Sequence, residues 1–291
     1  FSNTIVGTGI ITNASGGTQP TCDASTRGLI WNEYGSSGQR DKLYICQKLS
    51  NNTYSFTFIS EPACGYAFID PRDSNTYPTV QIGDQCWMAK NLAYLPSVVG
   101  PGTGSETTPY YYVYGYDGTD VSAAKVNSNY TTYGVLYNWP AATTACPSGW
   151  HLPTDAEWNV LETYTVSVIN SPNPQYPCST SEYGWRRCAD DSGTDAGGTY
   201  GAGKSLKKVG QGTGVGAGDD LVGFSALLAG ARDTNGSFYN LGSYSYFRSS
   251  SASSSSYAWR RHLYAGYSTV NRDYSNKAGG FSVRCLRDWT I

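Results

Sequence analysis

Residues 242–288, GSYSYFRSSSASSSSYAWRRHLYAGYSTVNRDYSNKAGGFSVRCLRD, decide the fold and carry most of the functional signal. Between Ser243 and Ser275 this stretch holds six Tyr, eleven Ser, four Arg, one Trp and one His, with no Lys, Glu or Pro. Tyr and Trp offer large, rigid contact surfaces at low entropy cost, and Ser, Gly and Asn adapt their hydrogen bonds to a ligand. This composition favours a binding surface over a disordered Ser-rich linker, which would lack the aromatic residues.

The same segment alternates with the period of β-strands. We expect Trp259, Leu263 and Val270 to point inward, and the residues that alternate with them to be exposed together on the opposite face. That face then collects the candidate ligand-binding residues, which are Tyr244, Tyr246, Arg248, Tyr257, Arg260, His262, Tyr264, Tyr267, Thr269, Asn271 and Asp273. An ordinary half-solvated antiparallel sheet alternates in the same way, so composition and period leave that interpretation open.

The alternation also predicts how the segment responds to substitution. Replacing Arg260, His262 and Asn271 should change stability little, because surface substitutions usually shift it by within about ±0.5 kcal/mol each. Trp259→Ala should instead open a core cavity and cost about 3–5 kcal/mol.

Composition narrows the class of protein. The chain has 291 residues, enough for one large or two small domains. Charged residues make up 14%, below the ~25% that is usual, and the 25 Tyr and 34 Gly take their place. A formal net charge of −2 gives no reason to expect a nucleic acid as partner.

The cysteines indicate an oxidising compartment. Their number is even, none form a CxxC pair, and only two His are present, so disulfides are expected rather than a metal cluster. A bridge between Cys22 and Cys46 would close a turn-rich stretch, and one between Cys178 and Cys188 would close a short surface loop. The alternative is a cytosolic protein with buried free thiols. The eight positions are Cys22, Cys46, Cys64, Cys86, Cys146, Cys178, Cys188 and Cys285.

Turn and strand signals divide the chain into two parts. Residues 1–60 predict a small β-rich module, residues 61–78 contain helix- and strand-breaking prolines and predict a joint, and residues 79–291 predict a larger α+β domain. The strands expected in the first module are Thr4–Ile11, Gly28–Trp31, Leu43–Gln47 and Thr53–Phe58.

One helix has a strong signal. Thr154 is a favourable N-cap and Glu157 follows three residues later, which is the pattern of a capping box. The 3–4 spacing of apolar residues predicts that Trp158, Leu161, Thr165 and Val168 face the core. Residues 201–209 predict a second, short helix, so the domain is mostly strand and loop.

Four ordered motifs lie in the second domain: IGDQCWMAKNL (82–92), CPSGWHLPTDAEW (146–158), GFSALLAGARDTNGSFYNLGSYSYF (223–247) and GGFSVRCLRD (279–288). Together they resemble the Fibrobacter succinogenes major paralogous domain, a branch of the C-type-lectin-like fold related to formylglycine-generating enzymes. Variable proteins of diversity-generating retroelements share this fold and motif order. In them a C-terminal segment is mutagenised at adenines and ends in a fixed strand, to which residues 280–288 are similar.

The resemblance implies a secreted or surface-displayed ligand-binding protein on a cell or virion, with residues 243–275 as a diversified face on an invariant scaffold. Its ligand would be an unknown protein or glycan, and the N-terminal module would attach the domain to a larger surface assembly. An AAC codon altered at its adenines yields Tyr, Ser, His, Asp or Arg but never Lys, Glu or Trp, which fits this segment and makes Trp259 a scaffold residue. The alternatives are a fixed adhesin that binds polysaccharide and, less favoured, an enzyme.

Candidate chemistry elsewhere is weak, so no catalytic residue, cofactor or metal is expected. A formylglycine-generating enzyme would need a reactive thiol pair, whereas Cys285 is better explained by a structural bridge. Cys146 is one candidate partner, but Cys64, Cys86, Cys146 and Cys285 allow three pairings, which stay open. The motif GTYGAGKS (198–205) matches a phosphate-binding loop but lacks the strand before it and the full helix after it, so no nucleotide is expected.

Overall fold

The computed structural model describes residues 10–11, 21–33, 42–49, 51–58, 64–169, 183–186, 194 and 196–288. The chain divides into two compact units, Phe1–Ala63 and Cys64–Ile291. The joint predicted at 61–78 is shorter than expected, because the chain from Cys64 onward already belongs to the second unit. Tyr77 is fully buried in its core, and Cys64 is bonded to Cys86.

The first unit contains a four-stranded sheet in which the strands follow chain order. Its strands are β1 (Ile10–Ile11), β2 (Ile30–Glu33), β3 (Lys42–Lys48) and β4 (Tyr54–Phe58). Strands β3 and β4 lie at the predicted positions, whereas β2 overlaps the predicted strand Gly28–Trp31 only at Ile30 and Trp31. The expected Cys22–Cys46 disulfide is present, with a Cα–Cα distance of 5.4 Å.

The second unit has a smaller sheet with strand order β11-β18-β8-β7, so the last strand lies inside it. These strands are β7 (Thr79–Ile82), β8 (Gln85–Met88), β11 (Trp150–His151) and β18 (Leu286–Arg287). Two short strand pairs and three helices are formed by the residues just before β7 and by those between β8 and β11. They are β5 (Phe68–Ile69) with β6 (Thr76–Tyr77), β9 (Tyr111–Tyr112) with β10 (Leu136–Tyr137), α1 (Val121–Lys125), α2 (Ser128–Tyr133) and α3 (Trp139–Ala145).

A larger sheet of six strands has the order β12-β17-β16-β15-β13-β14. Its strands are β12 (Gly184–Arg186), β13 (Ala229–Arg232), β14 (Phe238–Leu241), β15 (Tyr244–Ala252), β16 (Tyr257–Tyr264) and β17 (Val270–Asn276). Residues 242–288 therefore supply three adjacent inner strands of this sheet, β15, β16 and β17. Helix α4 (Asp155–Val168) packs on one face of the sheet, and the short α5 (Ala202–Leu206) falls within the second predicted helix. The unit is thus α+β with mostly strands, as predicted.

Three disulfides connect described cysteines, and none of those cysteines is free. The open pairing is Cys64–Cys86 and Cys146–Cys285, and the second bridge joins positions 139 residues apart. The predicted Cys178–Cys188 bridge lies outside the described residues. The three bridges indicate an oxidising compartment. Every helix in the described part of the chain is too short or too polar to span a bilayer.

Helix α4 begins with the predicted capping box. Glu157 N donates to Thr154 Oγ1 (3.1 Å), and Thr154 N donates to Glu157 Oε2 (2.7 Å). Trp158, Leu161 and Thr165 are buried as expected. Val168 is 42% exposed, so its predicted core position is wrong. It continues the solvent-facing i, i+4 stripe of Val160 and Tyr164, because 3.6 residues per turn carry it away from the sheet.

His151 connects the start of this helix to the C-terminal strand region. Its Nε2 contacts Glu157 Oε1 at 2.9 Å and its Nδ1 contacts Asp288 Oδ1 at 2.5 Å. The hydrogen bond to Glu157 raises the pKa of His151 against the opposing effect of burial. Burial would raise the pKa of Glu157, but the hydrogen bonds from His151 and Thr154 lower it to about 2.

We predict that Thr154→Ala destabilises the protein by about 1 kcal/mol, because the N-cap hydrogen bond is lost. Thr154→Ser keeps the hydroxyl and should change stability by a few tenths of that amount. Urea unfolding of both variants measures the difference. Equal stability of Thr154→Ala and wild type would contradict the capping role.

The His151 contacts predict a pH dependence. A raised pKa in the folded state means that the contribution of His151 to stability is complete below its unfolded pKa, about 6.5, and is lost as pH rises through the folded pKa. The Glu157 contribution is lost only as pH falls towards 2. The difference in melting temperature between wild type and His151→Gln should therefore be larger at pH 5.5 than at pH 9. Ser167→Ala, at an exposed position of α4, is the control and should show no such trend; a His151→Gln difference that is constant or grows with pH would overturn the assignment.

Candidate ligand-binding face

Antiparallel pairing of β15, β16 and β17 fixes which side chains share a face of the six-stranded sheet. Tyr246 lies opposite His262, and His262 lies opposite Asn271. Because neighbours along a strand point to opposite sides, one face carries the even-numbered residues of β15 and β16 with their partners on β17. We call this the tyrosine face; its members are Tyr244, Tyr246, Arg248, Arg260, His262, Tyr264, Asn271 and Asp273.

The opposite side of the three strands, here called the helix face, packs on α4. Phe247, Leu263 and Val270 belong to the same buried apolar cluster as Trp158. The rings of Trp158 and Phe247 are 5.6 Å apart. Leu263 and Val270 are thus inward, as the alternation predicts.

A buried charged network also joins the helix face to α4. Arg261 donates from Nε to Glu162 Oε1 (2.5 Å) and from Nη1 to Asp155 Oδ1 (2.6 Å). Arg272 donates from Nη2 to Asp155 Oδ2 (2.7 Å), and Arg186 of β12 donates from Nη1 to Glu162 Oε2 (2.8 Å). Asp155 and Glu162 are seven residues apart and so lie on one side of the helix. The network therefore attaches three strands of the sheet to one helix.

Electrostatics holds Arg261 and Asp155 in their charged forms. Burial would lower the pKa of Arg261, but the attraction of Glu162 and Asp155 raises it. Burial would raise the pKa of Asp155, but the hydrogen bond from Arg272 and the charge of Arg261 lower it. Sequence reasoning missed this network. The seven-residue spacing of two acids on the capped helix was the available signal.

Aromatic rings cover one end of the tyrosine face. Tyr244 and Tyr264 stack with centroids 4.6 Å apart and planes 25° from parallel. Tyr267, in the turn after β16, meets Tyr264 edge-on at 4.9 Å. All three are partly exposed, so they offer ring edges and hydroxyls to a ligand.

Strand β12 adds an aromatic residue that the sequence argument did not identify. Trp185 pairs with Asn271 and meets the rings of His262 and Tyr267 at 5.0 and 4.7 Å. It is partly exposed and extends the tyrosine face beyond residues 243–275. Sequence reasoning missed Trp185 because it is far from residues 243–275 along the chain, and only strand pairing brings position 185 next to position 271.

An ion pair occupies the centre of the tyrosine face. Arg260 donates from Nε and Nη2 to the two carboxylate oxygens of Asp273, at 2.7 and 2.9 Å. Burial would raise the pKa of Asp273, but these bonds outweigh it and lower the pKa to about 2. The Arg260 guanidinium also lies 4.8 Å from the centre of the Tyr246 ring. A bidentate pair of this kind is rigid and keeps its charge across the physiological pH range.

The expectation that all the candidate residues are exposed together is wrong. Tyr246, Arg248, His262, Thr269 and Asn271 are buried. Later parts of the chain and β12 cover the tyrosine face. The Phe281 ring lies against Tyr246 (5.5 Å) and Arg248 (4.2 Å), Trp185 lies against His262, and Thr269 packs against α5 at Gly203.

Two further positions differ from the prediction. Trp259 is only partly buried, and Arg272 lies over its ring at 3.7 Å, so it is not a core residue. Tyr257 is exposed but alternates with Ala258, which puts it on the same side as Trp259 rather than on the tyrosine face. The combined replacement of Arg260, His262 and Asn271 is no longer expected to be neutral, because it removes a bidentate ion pair and two buried side chains.

Residues 80–287 match the model of the protein family described as Fibrobacter succinogenes major domain. The chain belongs to this family. The match spans the whole tyrosine face and the charged network beneath it. Neither a curated protein nor a solved structure gives a significant match to the chain.

The floor of the tyrosine face in this Fibrobacter succinogenes major domain has unsatisfied polar atoms. Among the described residues, Arg248 Nε and Nη1, His262 Nδ1 and Asn271 Oδ1 are buried and have no hydrogen-bond partner. His262 Nδ1 lies 3.6 Å from Asp273 Oδ1, which is too long for a hydrogen bond. Burial holds the pKa of Arg248 well below its usual range, and its Nη2 is bonded to the backbone carbonyl of Asn276 (3.1 Å). Buried polar atoms in proteins are nearly always satisfied, and internal water is the usual partner at such positions.

Segments that precede β13 position the turn between β16 and β17, which carries Tyr267. Lys207 is fully buried and donates from Nζ to the carbonyls of Tyr264 (2.7 Å) and Tyr267 (2.6 Å). Burial lowers the pKa of Lys207 to about 7. A Cβ on Gly216 would lie 2.4 Å from Ala265 O, so only glycine permits this approach to the turn.

The motif GTYGAGKS is explained by the same contacts. A Cβ on Gly203 would lie 2.1 Å from Thr269 O, and Lys204 N donates to Ser268 O (2.9 Å). The Lys204 ammonium lies 3.7 Å from Asp219. The glycines thus permit close packing against the segment before β17. Within the described ranges, no group of three or more His, Cys, Asp or Glu has a geometry that could hold a metal ion.

We predict that Glu162→Gln destabilises the domain by about 3–5 kcal/mol, because Arg186 and Arg261 lose their shared buried carboxylate. Asp219→Asn is the matched control, since it removes a carboxylate from a surface pair worth at most about 1 kcal/mol. Urea unfolding followed by tryptophan fluorescence measures both. Similar effects of the two substitutions would show that the network does not hold the sheet.

Proposed function

We propose that this protein is a ligand-binding protein, secreted or displayed at a cell or virion surface, in which the tyrosine face binds a protein or glycan. One observation carries the proposal: the partly exposed aromatic residues Tyr244, Tyr264, Tyr267 and Trp185 share a single face of the sheet. Tyr, Trp and Arg are the residues most enriched in binding hot spots. The composition of residues 243–275 points to the same use.

The separation of the two sheet faces supports a diversified surface. The helix face is fixed by apolar packing and by the carboxylates of α4, whereas Tyr244, Tyr264 and Tyr267 meet solvent. Side chains at these three positions can change while the strands stay attached to the helix. We infer that residues 243–275 are the diversified segment of a C-type-lectin-like scaffold, which the wider family resemblance suggests.

The disulfides support a non-enzymatic role and an exported location. Cys285 is bonded to Cys146, so it offers no thiol for the chemistry of a formylglycine-generating enzyme. The three bridges fit an oxidising environment, which agrees with display at a surface. The N-terminal unit, with its own bridge, would then attach the ligand-binding domain to a larger assembly.

A fixed adhesin remains the second candidate function, because the same aromatic residues would also serve an unvarying glycan contact. The two candidates differ in how the gene is built. A diversified protein requires a near-identical template repeat beside a reverse transcriptase gene, and an adhesin does not.

We predict that sequencing the surrounding genome finds a repeat that differs from the coding segment only at adenines. The differences should fall at solvent-facing codons such as Tyr244, Tyr264 and Tyr267, because these side chains do not hold the fold. The codons of the helix face should match the template, namely Phe247, Arg261, Leu263, Val270 and Arg272. A missing repeat would favour the adhesin, and differences spread equally over both sets of codons would contradict the proposed division of the sheet.

A further inference from the structure

A second aromatic surface lies apart from the tyrosine face. The ring of Tyr274 contacts three others, Trp259 at 5.5 Å, Tyr183 at 5.6 Å and Tyr257 at 5.7 Å. We call these four residues the Tyr274 cluster. Tyr183, Tyr257 and Tyr274 are 60%, 42% and 44% exposed, and Trp259 is partly exposed. Trp259 and Tyr274 are directly paired across β16 and β17 and alternate with Arg260 and Asp273, so the pair belongs to the other side of the strands.

Arg272 holds Trp259 of this cluster in a fixed orientation. The Arg272 guanidinium lies 3.7 Å from the centre of the Trp259 ring. Arg272 is in turn bonded to Asp155 through Nε (3.0 Å) and Nη2 (2.7 Å). The charged network that attaches β17 to α4 therefore also fixes the orientation of Trp259. A platform fixed in advance loses little side-chain entropy when a ligand binds.

The size of the cluster excludes a globular protein as its sole occupant. Three tyrosine side chains of about 200 Å2 each, exposed to about half, and a smaller part of Trp259 offer roughly 300 Å2. A stable protein interface buries about 800 Å2 on each partner. Exposed apolar patches of a few hundred Å2 on monomeric proteins are often functional. The area fits a narrow, chain-like or small ligand.

The charges around the cluster indicate an uncharged ligand. Arg272 is paired with Asp155, and Arg260 is paired with Asp273, so neither guanidinium is left to attract an anion. The Lys277 ammonium is buried and bonded to the carbonyls of Ser254 (3.0 Å) and Ser255 (2.7 Å). The exposed groups nearby include the hydroxyls of the tyrosines themselves and of serines 253–255 in the hairpin before Tyr257. A suitable ligand therefore combines flat apolar surfaces with many hydroxyl groups.

We propose that the Tyr274 cluster binds the pyranose rings of a neutral polysaccharide. The axial C–H bonds of such a ring carry partial positive charge and are attracted to the negative face of an aromatic ring. The equatorial hydroxyls then extend sideways to the serine and tyrosine hydroxyls. Trp259, Tyr257 and Tyr274 lie on the side of β16 and β17 opposite the tyrosine face, and Tyr183 lies at the sheet edge, close enough to Asp273 and Arg260 for their charges to act on it.

The test is affinity electrophoresis of the full chain in native gels that contain hydroxyethyl cellulose, xylan or galactomannan. We expect at least one of these polymers to retard the wild type. Tyr183→Ala with Tyr274→Ala should weaken binding about tenfold or more, since central aromatic contacts are typical hot spots. Tyr183→Ala alone, at the sheet edge, should weaken it measurably and guards against loss of folding in the double variant, which thermal unfolding checks.

A matched control and a second double variant locate the effect. Tyr164→Ala removes a similarly exposed tyrosine from α4 and should keep wild-type retardation. Tyr264→Ala with Tyr267→Ala alters the tyrosine face and is compared with the variants of the Tyr274 cluster to show which aromatic surface holds the polymer. Wild type that migrates unretarded in all three polymers would overturn the proposal. So would retardation that is lost only in the Tyr264 and Tyr267 variant, which would instead assign the glycan to the tyrosine face. Unretarded migration of the wild type leaves the proposed function of the tyrosine face untouched, because that face is tested separately through the gene.

Discussion

The buried carboxylates of α4 are the constraint on which the rest of the second unit depends. Asp155 and Glu162 bind arginines from β12, β16 and β17, and they do so beneath the strands that carry the tyrosine face. Charges taken out of water are tolerated only when their geometry is satisfied, so the helix and the sheet must adopt one relative position. An apolar interface would permit more sliding. The network therefore gives the sheet a fixed register against the helix, and both aromatic surfaces inherit their geometry from it.

Much of the larger sheet could be predicted from local sequence, because strand period and capping chemistry act over a few residues. The alternation of residues 258–264 and 270–274 matches the observed faces, and the capping box of α4 is in place. Exposure could not be predicted in the same way. Arg248 is buried by Phe281 and His262 by Trp185, and both covering residues come from other parts of the chain. The alternation places Trp259 on the inward side with Leu263, but there Arg272 lies over its ring and Trp259 stays partly exposed.

Segments outside the strands support the turn between β16 and β17, and their composition does not indicate this role. The loop before β13 and the turn around α5 are rich in glycine, and one part even matches a phosphate-binding motif. In the structure these glycines permit backbone approaches to residues 265–269 that any larger side chain would block. Lys207 completes the support with two bonds to this turn. The turn between β16 and β17 is thus shaped by parts of the chain that precede it by about fifty residues, so its geometry does not rely on its own side chains.

The position of β18 has a consequence for biosynthesis. This strand lies between β8 and β11, and Cys285 beside it is bonded to Cys146. The smaller sheet therefore has a gap until the ribosome has passed residue 287, well after the tyrosine-rich strands have been made. A nascent chain that stops within residues 243–275 lacks both the strand and its cysteine, leaving Cys146 as a free thiol and the sheet open. Such a product is incomplete whatever side chains its tyrosine face carries, so only full-length translation products can complete the fold.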